Sequence, residues 1–458
     1  MIVNGLVRGY RAPQSIPIFA SVVAACATTL SSPVLAARAV SASGFLNSIG
    51  VNSSIAVRGE NLAKTEECAR YLGIRWFRSG IEGDVPIRDL IALHRSTGAK
   101  FSWSPGSGRT DLDKLLSTAR QLAAAGALLA FEGPNEPNNW AITYKGEHGG
   151  GRFSWLPVAY FQRDLYRAVK ADPQLKQYPV WSITEGGADS SNVGLQFLTI
   201  PPDSGCLLPP GTVFADYANV HNYIYHPNSP GVEDNKTWNA ADTTAACKVD
   251  GLYGEYGLTW AGHYKGYAGK QLISLPRVTT ETGCTIGGAV TPRIQALNLL
   301  TMYLDQFKRG WSYTAVYLLR DRVDEAGNQK FGFYRPNYTP RLAAVYLHNL
   351  TSILADTDGS RPNETLNYTI PDEPATVHDL LLEKRNGSLY LVVWDERVTG
   401  SDTVTVHLGR LAKRVEVYDT TIGVEPQKEL SNVRSVKLSL SDHPIIIALP
   451  GGTRYSAR

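Results

Sequence analysis

The chain has 458 residues, 43% of them hydrophobic, and a formal charge of +3, so it can bury a large core and build two or three domains. It contains no Lys/Arg run long enough for a nucleic-acid or heparin tract. Beyond the N-terminus, no segment reaches the ~20 apolar residues of a membrane span.

The first 36 residues read as a secretory signal peptide. Arg8 and Arg11 precede a mostly apolar stretch, Ile16 to Leu30, and Val34-Leu35-Ala36 offers small residues at the cleavage positions. Removing Arg8 and Arg11 lowers the formal charge from +3 to +1. Val23-Ala24-Ala25-Cys26 also resembles a lipoprotein signal with Cys26 as the lipidated residue, but the fitting site at Ala36 favours ordinary cleavage. The expected location is periplasmic or extracellular. Four cysteines then remain: Cys68, Cys206, Cys247 and Cys284. Exported proteins tolerate disulfides, and Cys206 with Cys247, in loop-rich segments, is the candidate pair. Cys68 falls on the apolar side of a helix, and Cys284 reads as a packing residue. No Cys/His spacing suggests a metal site, and no cofactor is expected.

From about residue 48 strand-like and helix-like segments alternate, as in a mostly parallel sheet. Residues 48–51 are a first strand, followed by a helix over 62–72. Residues 73–78 and 100–103 are the second and third strands, with a helix over 87–96 between them. Asp111 to Ala125 forms the clearest early helix, with Leu112, Leu115, Leu116, Ala119, Leu122 and Ala123 on one face and Gly126 ending it. The fourth strand follows at 128–131, then a long loop over 140–153 and a helix over 155–171. Residues 180–184 and 217–223 are the fifth and sixth strands, and an aromatic-rich insertion spans 225–269. Thr291-Pro292 and Thr339-Pro340 each open a helix with a cap and a first-turn proline. The eighth strand, 313–318, lies between those helices. Eight such alternations predict a (β/α)8 TIM barrel over 40–354.

Beyond residue 355 the period changes to two. Segments 378–384 and 388–395 alternate and are joined by Asn386-Gly387, a strong hairpin signal. Segments 403–408, 414–418, 433–440 and 444–449 continue the pattern with no helix between them. Residues 355–458 are therefore expected to form a small all-β, sandwich-like domain with a structural role.

Two short strand-like runs, one apolar and one β-rich, stop at turn residues beside a glutamate. Leu128-Leu129-Ala130-Phe131 gives way to Glu132-Gly133-Pro134-Asn135-Glu136-Pro137, the pattern of a buried strand opening into a loop. Pro276 to Thr280 likewise stops at Glu281-Thr282-Gly283. In barrels of this kind chemistry concentrates at the C-terminal strand ends. Glycoside hydrolysis needs two carboxyls there, one neutral to protonate the leaving oxygen and one ionised to attack or to activate water. Between them in sequence, His221-Asn222-Tyr223 closes the sixth strand with groups able to hydrogen-bond a carboxylate.

Together these residues resemble glycoside hydrolase clan A, the retaining (β/α)8-barrel glycosidases, nearest to family 39 and related bacterial exopolysaccharide hydrolases. The resemblance spans roughly residues 45–353. It implies that Asn135-Glu136 ends strand four with Glu136 as acid/base, and that Glu281, ending strand seven, is the nucleophile. It further implies that Tyr223, in the His221-Asn222-Tyr223 segment, and Arg78, after strand two, both contact the nucleophile. Asn135 would hold a sugar 2-hydroxyl. The acid needs a raised pKa, which partial burial and the second carboxylate favour. Arg78 and the Tyr223 hydroxyl favour an ionised Glu281.

Other residues compete for these roles. Glu132 is expected to brace a neighbour, whereas Glu185 also ends a strand before glycine and is the rival acid/base. Asp321 suits sugar hydroxyls or a pair with Arg320. Trp103, Trp140, Tyr144, Tyr225, Trp238 and Trp260 are candidates for stacking on sugar rings, with Trp103 and Trp140 the chosen pair. Trp76 and Trp311 are expected in the core. The expected function is a secreted retaining glycosidase acting on a β-linked polysaccharide or oligosaccharide, and endo action fits the long loops. The alternatives are an exo-acting β-xylosidase-like enzyme and an inactive carbohydrate-binding barrel. Two intact carboxyls favour the enzyme.

Overall fold

The computed structural model describes residues 37–451, apart from 80–83, 138, 151–155, 185–211, 226–230, 243–274, 325–329, 358–361 and 363. The signal segment, Cys206, Cys247, Glu185 and Trp260 lie outside the described residues.

The chain enters through two short strands, β1 (Ala37–Arg38) and β2 (Val40–Ser41), and a helix α1 (Ala42–Ser48). Strand and helix then alternate: β3 (Ile49–Asn52), α2 (Leu62–Leu72), β4 (Trp76–Ser79), α3 (Ile87–Thr97), β5 (Lys100–Trp103), α4 (Leu112–Ala124) and β6 (Leu128–Phe131). Their caps follow the sequence. Asn61 and Asp111 accept from the backbone N–H groups of Lys64 and Lys114, and Gly73 ends α2 at φ 71°, each satisfying groups a helix end leaves open. Where a plain loop was expected after β6, β7 (Ile142–Tyr144) and β8 (Glu147–Gly149) form a hairpin. Its turn, Lys145-Gly146, has both φ values positive, the requirement of a tight two-residue turn. The hairpin lies against α5 (Leu156–Ala171), with Tyr144 packed edge-on against Phe161.

The order continues with β9 (Ala218–His221), α6 (Lys236–Ala240), β10 (Arg277–Thr282), α7 (Pro292–Lys308), β11 (Trp311–Val316) and α8 (Leu342–Ile353). Seven strands pair in the order β6-β5-β4-β3-β11-β10-β9, all in parallel. The two edges of this sheet meet through residues 179–182. Phe131 bonds Pro179 and Trp181, and Ser182 bonds the carbonyl of Tyr217. The sheet thus curls into an α/β barrel, with the fifth strand position held by bridges at Val180 and Trp181. Trp76, Trp181 and Val278 fill its interior with Ala130 and Ala315. Gly50 makes room: a Cβ there would sit 2.1 Å from the Trp76 ring. Trp311 is also core, as expected. Thr291 and Pro292 cap α7 as read from the sequence. Thr339-Pro340 does not open α8: Arg341 precedes it without a side-chain cap bond, and Pro340 instead bridges to Tyr334.

The second sheet contains β13 (Val377–Glu383), β14 (Leu389–Asp395), β15 (Asp402–Asp419), β16 (Lys428–Leu440) and β17 (Ile445–Leu449), in the order β16-β15-β17-β14-β13-β2. It departs from expectation in two ways. Its sixth strand is β2, near the N-terminal end of the described chain, paired in parallel with β13, and β1 pairs with β12 (Thr365–Leu366). It is also one continuous sheet rather than two. The expected strands 403–408 and 414–418 are halves of β15, whose register shifts between His407 and Ala412. Val404 and Val406 of one half share an apolar cluster with Val415 and Val417 of the other, so the sheet doubles over its own core. Trp394, Leu380, Leu382 and Ile446 instead join the barrel's cluster. The two sheets therefore share a buried seam. Among the described residues, no helix is long and apolar enough to cross a membrane.

Candidate active site

The barrel's C-terminal strand ends bring the sequence candidates together. Arg78, on β4, is fully buried and is the hub. Its Nε donates to Glu132 at 2.8 Å, its Nη2 to Asn135 Oδ1 at 2.9 Å, and its Nη1 to Glu281 Oε1. Burial opposes the guanidinium's charge, but Glu132 and Glu281 outweigh it and hold its pKa above the ordinary value. Glu132 also accepts from Ser102, so it braces Arg78, as expected of a strand carboxylate. Asn135 is fixed from its other end by donating to Ser107 Oγ at 3.1 Å.

Glu281 is nearly buried, and its second oxygen, Oε2, accepts from the Tyr223 hydroxyl at 2.7 Å. Burial, with Glu281's charge beside it, pushes the Tyr223 pKa well up, so the phenol keeps its proton and donates. Strict alternation along β10 would not turn both Thr280 and Glu281 inward. The register shifts between Thr279 and Glu281, a bulge-like irregularity of the kind that re-aims a side chain beside a site. Gly283 follows where a Cβ would meet the Tyr317 carbonyl at 2.7 Å.

Glu136 has φ +42°, a left-handed conformation that costs a non-glycine residue about 1 kcal/mol or more. The backbone N–H groups of Asn139 and Trp140 bond back to its carbonyl at 2.9 and 2.8 Å. Its Oε1 lies 2.7 Å from His221 Nδ1, and its Oε2 accepts from Asn139 at 3.1 Å. The same His221 nitrogen lies 3.7 Å from Glu281 Oε2. Burial, with Arg78's charge adding to it against the pull of Glu281, lowers the His221 pKa to about 4. The ring is therefore neutral near pH 7. One atom each of Glu136, His221 and Glu281 lies within 4.8 Å of the others. Three such ligand types could hold a metal ion, but Arg78 already pairs with Glu281, and a second cation there would be repelled.

The aromatic candidates separate. Trp140 is 55% exposed, one turn from Glu136. Trp103 is a correction: it packs among the apolar residues between sheet and helices, and its Nε1 donates to Thr118 of α4 at 2.9 Å. On β5 it is Ser102 that points inward, so its neighbour must point out. Tyr144 is tied to Asp164 on α5, Tyr225 is buried, and Trp238 stacks on His378 of the second sheet. Asp321 pairs with Arg341 and the Gly332 N–H rather than with Arg320. Ser102, Ser107, Asn139 and Thr280 were not singled out from sequence. Each is a common polar residue, and only inward-facing parity on a strand could have marked Ser102 or Thr280.

No family model and no curated protein sequence matches this chain. Solved structures do. A family 39 glycoside hydrolase from Bacteroides cellulosilyticus WH2 is similar at TM-score 0.55 and 16% identity, covering 89% of this chain and 82% of that one. CelM2, a bifunctional glucanase-xylanase from a metagenome library, is similar at 0.54 and 13%, covering 89% and 96%. A 4-O-α-L-rhamnosyl-β-D-glucuronidase from Fusarium oxysporum 12S is similar at 0.53 and 13%, covering 90% and 97%. At these identities the likeness is one of fold.

Proposed function

We propose that this protein is a secreted retaining glycoside hydrolase cleaving β-glycosidic bonds in a polysaccharide or oligosaccharide, with Glu281 as nucleophile and Glu136 as acid/base. One observation carries the reading: an oxygen of each carboxyl lies within 4.8 Å of the other. Retaining enzymes hold the pair ~5–5.5 Å apart, whereas inverting ones need ~6.5–9.5 Å to admit a water.

In the first step a Glu281 oxygen bonds the anomeric carbon as the glycosidic C–O bond breaks, and Glu136 gives its proton to the leaving oxygen. In the second, Glu136 takes a proton from water, the water oxygen bonds the anomeric carbon, and the ester to Glu281 breaks. Arg78 and Tyr223 hold Glu281 as an aimed carboxylate, and Asn135, fixed by Arg78 and Ser107, suits a sugar hydroxyl. The exposed face of Trp140 beside Glu136 fits a further sugar unit, which favours a polymer and endo action. The fold shared with glycoside hydrolases supports the reaction class but does not name the sugar. The N-terminal apolar segment supports export.

The test is a screen of purified protein on aryl glycosides and extracted polysaccharides, with proton NMR of the fresh hydrolysate. The expected first product keeps the anomeric configuration of the substrate. Net inversion would remove Glu281 as nucleophile, and binding without turnover on any glycan would leave a carbohydrate-binding barrel.

A further inference from the structure

His221 sits between two carboxyls, and what fixes the position of its single proton lies behind it. Its Nε2 is 3.2 Å from Thr280 Oγ1, and that hydroxyl is 3.0 Å from the side-chain amide of Asn219. All three residues are buried. Thr280 has one hydrogen to give and two neighbours that could take it.

We propose that Asn219 and Thr280 are positioning residues for Glu136. They form a one-way relay, Asn219 N–H to Thr280 O–H to His221 Nε2, that fixes the imidazole proton on Nδ1, facing Glu136. The inference rests on the reading of Glu136 as acid/base.

Consider the opposite direction. If Thr280 donates to Asn219 Oδ1, Nε2 must carry the ring proton to bond Thr280, and Nδ1 is bare. A bare nitrogen then lies 2.7 Å from Glu136 Oε1, lone pair against lone pair whenever Glu136 is ionised. That direction also strands the buried Asn219 Nδ2, which has no partner. The two ends of an amide occupy nearly the same volume, so hydrogen bonding decides its orientation. Turned by half a rotation, Asn219 donates N–H to Thr280 and leaves an under-satisfied carbonyl instead of an orphaned N–H, the rarer defect.

The relay has a consequence for both steps. With Nδ1–H donating to Oε1, the acid's proton must sit on Oε2, and it cannot drain into the ring. After the proton has gone to the leaving group, the same N–H stabilises the carboxylate that acts as base. Neither step needs His221 to change tautomer.

The test is ¹⁵N NMR of histidine-labelled full-length protein, which distinguishes protonated from bare ring nitrogens. His221 is expected to carry its proton on Nδ1, with Nε2 bare and hydrogen-bonded. Thr280→Val should shift the Nε2 signal towards that of an unbonded nitrogen, and Thr280→Ser should restore it. Asn219→Asp, once ionised at alkaline pH, can only accept, and should move the ring proton to Nε2. In kinetics, Thr280→Val should slow turnover of poor leaving groups by about tenfold and of activated phenols much less, the pattern of an impaired general acid. A proton on Nε2 in the unsubstituted protein, or an Nε2 signal indifferent to Thr280→Val, would overturn the relay. Such a result leaves the acid/base assignment intact, because that assignment stands or falls on Glu136→Gln alone.

Discussion

The hydroxyl of Tyr223 donates to Glu281 Oε2 at 2.7 Å, and the half-buried phenol holds its proton, so the bond is strongest when the carboxylate is charged. This defines when the contact matters. Attack by Glu281 spends its charge, whereas breakdown of the glycosyl ester returns it. Tyr223→Phe should therefore slow the second step more than the first. A hydrogen bond to a charged group contributes roughly 1.5–3 kcal/mol, so about tenfold or more is expected. The signature is a burst of released phenol in pre-steady-state measurements. A uniform loss in both steps would mean that Tyr223 only shapes the pocket.

Separate substitutions assign the two carboxyls. Glu281→Gln removes the nucleophile and should abolish turnover on every substrate, with no covalent intermediate detectable by mass spectrometry. Glu136→Gln should cost about 10²–10⁴-fold on natural linkages, yet release activated phenols in a burst. Azide, which attacks without base help, should restore steady turnover. Full activity of Glu136→Gln on polysaccharide would return the role to Glu185.

Arg78 joins Glu132, Asn135 and Glu281 while buried completely. Arg78→Met fits the volume but leaves two carboxylates inside the barrel without their cation. Breaking a buried pair from one side typically costs about 3–5 kcal/mol. The melting temperature should fall well below that of Tyr223→Phe, and activity should be lost even where the variant remains folded.

The seam between barrel and second sheet holds a carboxyl pair. Asp305 of α7 accepts from Trp394 Nε1 at 3.1 Å and feels the charge of Glu396, which accepts from the backbone N–H groups of Thr237 and Trp238. Burial first, and then the charge of Glu396, raise the Asp305 pKa well above its ordinary 3.8. A group with a raised folded-state pKa contributes stability that is fully present below the unfolded value and lost as pH climbs towards the folded one. The melting temperature should thus decline as pH rises from about 4, the ordinary carboxyl range. Asp305→Asn, whose amide can accept from Trp394, should flatten that decline. An unchanged slope would show that Asp305 carries no proton in the folded protein.

Much of this was legible in sequence for a physical reason. Helix and strand periods, caps and turn formers are local, so α2 appears over the expected span and β5 and β6 at the expected residues. Glu136 and Glu281 stood out because turn residues abruptly end a strand-like run, apolar before Glu136 and β-rich before Glu281. The sequence could not foresee where long-range pairing overrides local signals. The inward turn of Glu281 depends on a register shift against β9 and β11, and a period-two reading of β10 alone would hide it. Trp103, read as a sugar platform, is a wall residue because its inward neighbour is Ser102. Tyr225 and Trp238 were drawn from the loops by packing, the latter onto the second sheet. That sheet's sixth strand lies more than 300 residues from its partner, a pairing no local pattern can carry. Sequence alone determined which residues could do acid–base chemistry at strand ends. Only the closed sheet, by placing His221 between two distant glutamates and Arg78 against one of them, decided that they share one site.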